Sequence, residues 1–283
     1  MPDNIKLFED REIRTSWNEN EEDWYFSVND VVEVLTDTVD VKQYVKKLRN
    51  RDKELNSKWG TICTPVQMTA KDGKQRKINA ANTAGILRII QSIPSKKAEP
   101  FKIWLARVGA ERLNEIADPE LTIQRALSTY RKKGYSEAWI NQRLKTIEIR
   151  KELTDEWDRS GVEKGIEYAI LTDEISKAWS GMTTREYKNF KGLKKENLRD
   201  NMSNMELVLN MLAEVSTTEI SRSENPKDFN HSKSIAERGG NVAKEARKNI
   251  ETQTGKPVIT SQNAAELNEV VVRSIEDISN KNE

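Results

Sequence analysis

The chain has one cysteine, Cys63, and one histidine, His231. A lone cysteine excludes a disulfide framework, and so few Cys and His side chains exclude the usual Cys/His zinc sites. A serine or cysteine hydrolase of the common type would need His231 as its base, yet Asn230-His231-Ser232-Lys233 is a polar stretch that reads as loop. Long apolar runs are missing as well, and none approaches the roughly 18 residues a membrane span needs. Met1-Pro2-Asp3-Asn4 lacks the basic-then-apolar pattern of a signal peptide, so a soluble, cytoplasmic protein is expected.

Enzyme signatures are equally scarce. Gly255-Lys256 is followed by Pro257 and has Ile250 where a phosphate loop needs its first glycine. Nuclease-like acid-x-Lys triplets occur at Asp40-Val41-Lys42 and Glu186-Tyr187-Lys188, but neither lies on a predicted strand. In a chain whose residues are 33% charged, such triplets arise by chance. The expectation is a protein with no catalytic residues, no cofactor and no metal site.

What the chain does have is charge, unevenly placed. The net charge of +1 conceals a split: residues 1–40 carry 3 Lys/Arg against 12 Asp/Glu, and residues 41–112 carry 17 against 5. Such asymmetry is the electrostatic footprint of a surface for a polyanion.

The length of 283 residues favours two folding units. Trp24-Tyr25-Phe26 reads as a strand, and Ser27 caps a helix with Val28, Val31, Val32 and Leu35 at i, i+3, i+4, i+7. Val41, Tyr44, Val45 and Leu48 repeat that spacing in a second helix. Residues 61–79 switch to strand character around an Asp72-Gly73 turn signal, which predicts a hairpin. A three-residue loop, Lys71-Asp72-Gly73 with Gly73 left-handed, would pair Val66 with Ile78, whereas a two-residue loop would put them on opposite faces. Helix resumes near Asn79, with Thr83, Ile86, Leu87 and Ile90 on one stripe, and stops before Ile93-Pro94. Pro100 opens another helix with Phe101, Trp104, Leu105 and Val108 at core spacing. Asp118-Pro119 then marks a boundary.

Beyond it every long segment reads as helix: residues 119–133 closed by Gly134, a long helix from Ser136 through Trp139 and Trp157 to Gly161, and one behind the capping box Ser203-x-x-Glu206. A Ser/Thr/Asn-rich stretch at 216–232 containing Pro226 reads as a linker. It precedes a basic helix, about Ser232 to Thr252, interrupted at Gly239-Gly240, and a polar tail of some 20 residues that is expected to fray. The fold expected is therefore an α+β N-terminal domain of short helices with a β-hairpin, residues 1–118, followed by an all-α C-terminal part. Within that part, 119–215 would serve assembly or partner binding, and 216–283 would be linker, basic helix and tail.

The cations form a pattern. Lys42, Lys46, Arg49 and Lys53 recur at i, i+4, i+7, i+11, opposite the apolar stripe of the same helix. If the helix reaches residue 53, the stripe is about 16 Å long, enough to meet several phosphates. Asp52 and Glu54 are the only acids between residues 41 and 71, so few salt bridges can absorb the charge. Lys71, Lys74, Arg76 and Lys77 surround the hairpin tip, where a two-stranded ribbon could clamp phosphates or where lysines could merely protect an edge. Lys96, Lys97 and Lys102 extend the basic surface. Trp104, Trp139 and Trp157 read as packing residues, while Trp17 and Trp59 are candidates for exposure.

Trp24-Tyr25-Phe26-Ser27-Val28-Asn29-Asp30-Val31-Val32 resembles the start of the BRO N-terminal domain of viral BRO proteins and prophage antirepressors. Ile78-Asn79, Gly85-Ile86-Leu87-Arg88 and Ser95-x-x-Ala98-x-x-Phe101-x-x-Trp104 resemble its closing helices, with Ala80-Ala81-Asn82 where an acidic residue is common before the glycine. The remainder resembles the DNA-damage-inducible protein D type, at Lys194-Lys195-Glu196-Asn197-Leu198-Arg199-Asp200-Asn201-Met202-Ser203-x-x-Glu206 and Ala236-Glu237-Arg238-Gly239-Gly240-Asn241-Val242-Ala243, where bacterial members match. The resemblance implies DNA binding, phage or damage-response regulation and no known catalytic site. Its partners would be DNA and a repressor or DNA-repair protein, with a homo-oligomer formed through the helical part. The rival readings are a protein-binding inhibitor of repair or repressor machinery and, more weakly, a metal-dependent nuclease.

Overall fold

In the computed structural model, which describes residues 4–8, 11–70 and 73–264, the first strands arise in the acidic N-terminal stretch. β1 (Asn4–Phe8) and β2 (Arg11–Asn18) pair antiparallel, and β2 continues onto β3 (Asp23–Ser27). Neither β1 nor β2 was predicted. In β2 the period-2 signal rests on Ile13, Thr15 and Trp17 alone, set between charged Arg11, Glu12 and Arg14. Two further strands, β4 (Thr64–Thr69) and β5 (Gln75–Asn82), complete an antiparallel sheet in the order β1-β2-β3-β5-β4, curled enough to bring β2 near β4.

Short helices cover one face of this sheet. They are α1 (Val28–Thr36), α2 (Val41–Arg51), α3 (Lys53–Ser57), α4 (Trp59–Ile62) and α5 (Thr83–Ser92), followed by the longer α6 (Glu99–Ala117). Ser27 caps α1 as expected, its Oγ accepting from the Asp30 N–H, and Val28, Val31, Val32 and Leu35 are all buried. They join Phe26, Leu48, Leu55, Ala81, Ile86 and Ile89 in one core. A smaller cluster of Tyr25, Met68 and Ala80 occupies the other sheet face. Arg14 on β2 grips Asp30 on α1 with two side-chain hydrogen bonds of 2.7 and 2.5 Å. The acidic N-terminal stretch is thus built into the domain.

The hairpin has the predicted register: Val66 pairs with Ile78, Gly73 has φ +78°, and Ala70 N–H reaches Lys74 O across the loop. Three expectations fail nearby. Residues 61 and 62 belong to α4, not the strand, which starts at Thr64. Asn79 is still in β5, because pairing with Pro65 holds it extended; α5 begins at Thr83 with Asn82 as cap. Trp104 is 42% exposed: with Phe101 it forms the rim of an apolar cavity of about 300 Å³, over Val31, Leu35 and Ile86.

The chain divides into two compact units, residues 1–121 and 122–283. Among its described residues the second is built of helices: α7 (Glu120–Lys132), which starts at the boundary, α8 (Glu137–Arg159), α9 (Ile166–Ser180), α10 (Thr184–Phe190), α11 (Asn204–Glu224) and α12 (Phe229–Thr254). Its core holds Trp139, Trp157, Trp179, Tyr187, Leu153 and Leu171, all at most 1% exposed. Ser136 caps α8 and the Ser203–Glu206 capping box opens α11, both as the sequence predicts.

The expected linker at 216–232 is not one. α11 runs to Glu224, because Thr217 and Thr218 return their hydroxyls to Ala213 O and Glu214 O while Ser221 donates to Glu156. Only residues 225–228 separate α11 from α12. His231 lies in the first turn of α12, with Nε2 3.0 Å from Glu224 Oε2. Gly239-Gly240 does not interrupt that helix. The pair instead lets α12 pass at backbone distance from α11 and α9. The expected fraying of the tail concerns residues mostly outside those described.

Candidate nucleic-acid interface

Asp40 opens α2 by accepting from the Gln43 N–H, and Leu48, with half-buried Val41, Tyr44 and Val45, turns one side of the helix to the core. That orientation sends Lys42, Lys46 and Arg49 to the other side. There they line a groove of about 530 Å³ with Asn29 of α1, Asn50 of α2, Asn56 of α3, Trp59 of α4 and Asn79 of β5. Five elements meet at this one concavity.

Arg49 is fixed in place. Its guanidinium carbon lies 4.9 Å from the centroid of the Trp59 ring, and its Nε donates to Asn56 Oδ1 at 2.9 Å. Stacking on an indole leaves the remaining guanidinium N–H groups for an incoming acceptor. Lys42 and Lys46 are exposed and have no ion-pair partner among the described residues.

The nearby acids explain why. Asp52 accepts from the Leu55 N–H at 2.8 Å, from Ser92 Oγ at 2.6 Å and from Arg88 Nη2 at 2.8 Å. These donors, the backbone N–H first, hold its carboxyl well below the usual carboxylate range. Glu54 is paired with Lys58. Neither acid neutralises the groove cations.

Asp52 also overturns part of the sequence reading. It ends α2 at Arg51 and caps α3, with an extended backbone (φ −100°, ψ 92°), so the helix does not reach residue 53. Lys53 sits in the first turn of α3 and is not among the groove residues. The stripe is three cations long.

Hairpin cations divide by strand alternation. Lys77 is two residues from Asn79 and shares its sheet face, the face of the groove, whereas Arg76 opposes Met68 and shares the other face. Lys74 follows the turn glycine and is exposed; Lys71 lies outside the described residues. Of the auxiliary lysines, Lys97 is paired with Asp37.

Four asparagines complete the groove, and sequence periodicity had no means of finding them because they come from four separate elements. Asn29 and Asn79 do fall within the segments that carry the family resemblance, and Trp59 was singled out for exposure.

The remaining chemistry-bearing side chains have structural duties. Burial pushes the Cys63 thiol up to about 12, away from nucleophilic use. Of the acids of the two triplets, Asp40 is the N-cap of α2 and Glu186 closes the capping box that Thr183 opens at α10. Among the described residues no group of three or more His, Cys, Asp or Glu could hold a metal, and no helix is long and apolar enough to cross a membrane.

The profile of the BRO family, N-terminal domain, matches residues 12–113, which contain the whole groove. That of the DinD C-terminal domain matches residues 136–265, from the start of α8 to just beyond α12. None of the curated proteins matches the chain. Both domains belong to regulatory families and are consistent with an antirepressor-like or DNA-damage-related regulator. Residues 12–113 are thus similar to the BRO N-terminal domain and residues 136–265 to the DinD C-terminal domain, the two matches together spanning most of the chain.

Proposed function

We propose that this protein is a non-enzymatic DNA-binding regulator whose BRO domain engages DNA through the α2 groove. One observation carries the reading: Lys42, Lys46 and Arg49 converge on a single concavity from which the neighbouring carboxylates are diverted. Three cations along a helix match the spacing of backbone phosphates, and four neutral amides with an indole supply donors, acceptors and a stacking surface that do not repel them. Lys77, on the same sheet face, extends the contact. The helical unit would then carry assembly or a regulatory partner, a repressor or repair protein.

The rival is a protein-binding inhibitor that never touches DNA. It draws support from the helical unit, where Met205, Val208 and Val215 of α11 and Leu144 and Ile147 of α8 are 38 to 48% exposed. Titrating the purified chain against labelled DNA over a salt series separates the two. DNA binding whose affinity falls log-linearly with salt supports the groove reading, and absence of any salt-linked binding supports the rival.

A further inference from the structure

The apolar cavity of about 300 Å³ lies where the sheet, α1 and α5 do not close on one another. The sheet contributes Ile13 and Phe26, α1 contributes Val31 and Leu35, and α5 contributes Ile86 and Ile90. Phe101 and Trp104, early in α6, stand at its rim. We propose that this cavity binds a small, uncharged, hydrocarbon-rich molecule. The site is separate from the α2 groove, with which it shares none of its lining residues.

The lining selects the chemistry. Among the described residues around the cavity none is charged, Thr83 and Trp104 alone carry a polar side-chain atom, and almost no polar surface faces inward. A charge or an unpartnered polar group carried into such surroundings loses its hydration and gains nothing in exchange. Water is held no better, since a buried water needs two to four polar partners. A hydrocarbon, by contrast, gains in proportion to the apolar area it takes out of water.

Size selects the occupant. An apolar cavity of about 150 Å³ is enough to bind benzene, so one of twice that volume has room for about a dozen carbon atoms. Small-molecule sites begin near 300 Å³. An α-helix is about 10–12 Å across with its side chains, and a docked protein could therefore insert no more than a single side chain here.

The walls are held from behind. Ile13, Val31, Leu35, Ile86 and Ile90 are at most 5% exposed and belong to one core with Leu48 and Ile89. Interiors packed in this way keep their shape, so the site is formed before a ligand arrives. At the rim the Phe101 and Trp104 rings lie 5.3 Å apart at 51°. With Trp104 partly exposed, an entering molecule meets aromatic surface first.

The test titrates the full-length chain with toluene, and with benzoate as a charged molecule of similar size, while the methyl ¹H–¹³C spectrum is recorded. Toluene should shift the methyls of Ile13, Val31, Leu35, Ile86 and Ile90 saturably and leave those of Leu153 and Leu171 in the helical unit unmoved. Benzoate at the same concentration should shift neither set. Leu87→Trp on α5 and Val34→Phe on α1 each push a larger side chain into the cavity from its wall. Either variant, with unchanged far-UV circular dichroism, should lose the response to toluene. No saturable shift at the cavity methyls, an equal response to benzoate, or an unchanged response in a folded filling variant would overturn the proposal. Should both variants fail to fold, the comparison of toluene with benzoate on the unmodified chain decides alone.

Discussion

Gly239 and Thr217 meet at backbone distance: a Cβ on Gly239 would stand 2.6 Å from the Thr217 amide nitrogen and 2.7 Å from its Cα. On the other side of α12, a Cβ on Gly240 would stand 2.8 Å from Ile175 O. α12 can therefore lie between α9 and α11 only while both positions lack side chains.

Gly239→Ala should thus destabilise the helical unit, because backbone must give way. Overpacking of this kind costs about 1–3 kcal/mol. Gly60→Ala, at a helical site with nothing within 4 Å, should stay within about 0.5 kcal/mol. Denaturant titration of the three proteins checks this, and equal midpoints would refute the close crossing.

The same crossing shows where the sequence was readable. α1 and α8 announced themselves through apolar spacing and a serine cap, and the hairpin through Gly73 and the pairing of Val66 with Ile78. The end of α11 did not. Thr217, Thr218 and Ser221 look like linker residues until their hydroxyls are seen bonded to the preceding turn and to Glu156. The groove was half legible, since Lys42, Lys46 and Arg49 repeat at helical spacing. The break at Asp52 and the convergence of Asn29, Asn56, Trp59 and Asn79 are tertiary facts with no period in the chain.

Lys191 anchors the segment after α12. Its fully buried Nζ donates to Glu206, to Thr260 O at 3.0 Å and to Gln262 O at 2.9 Å. Glu206 also accepts from Tyr187 Oη and the Ser203 N–H. Lys191→Met should cost about 3–5 kcal/mol, since it leaves a buried carboxylate without its cation. Hydrogen exchange should report early loss of protection at residues 203–206. Unchanged stability would show that the carboxylate does not need the ammonium.

Asp52 makes a pH prediction. Its carboxyl is held low in the folded state by the Leu55 N–H, Ser92 and Arg88. A depressed folded value means that the stabilisation is fully present above the unfolded value of about 3.9 and is lost as pH falls through the folded one. Asp52→Asn should flatten the acid limb of the stability curve of the BRO domain. A carboxyl ¹³C titration placing Asp52 at an ordinary aspartate value would contradict the assignment.

The claim that the α2 groove binds DNA is tested most directly by the salt dependence of binding in two variants of the full-length chain. Replacing Lys42, Lys46 and Arg49 together with alanine should weaken binding to all sequences alike and reduce the log–log salt slope by about 2 to 3 units. Lys53→Ala, beyond the Asp52 break, should leave the slope near that of the unmodified protein. A triple variant with an unchanged slope, or a larger loss from Lys53→Ala than from the triple, would place the DNA surface elsewhere.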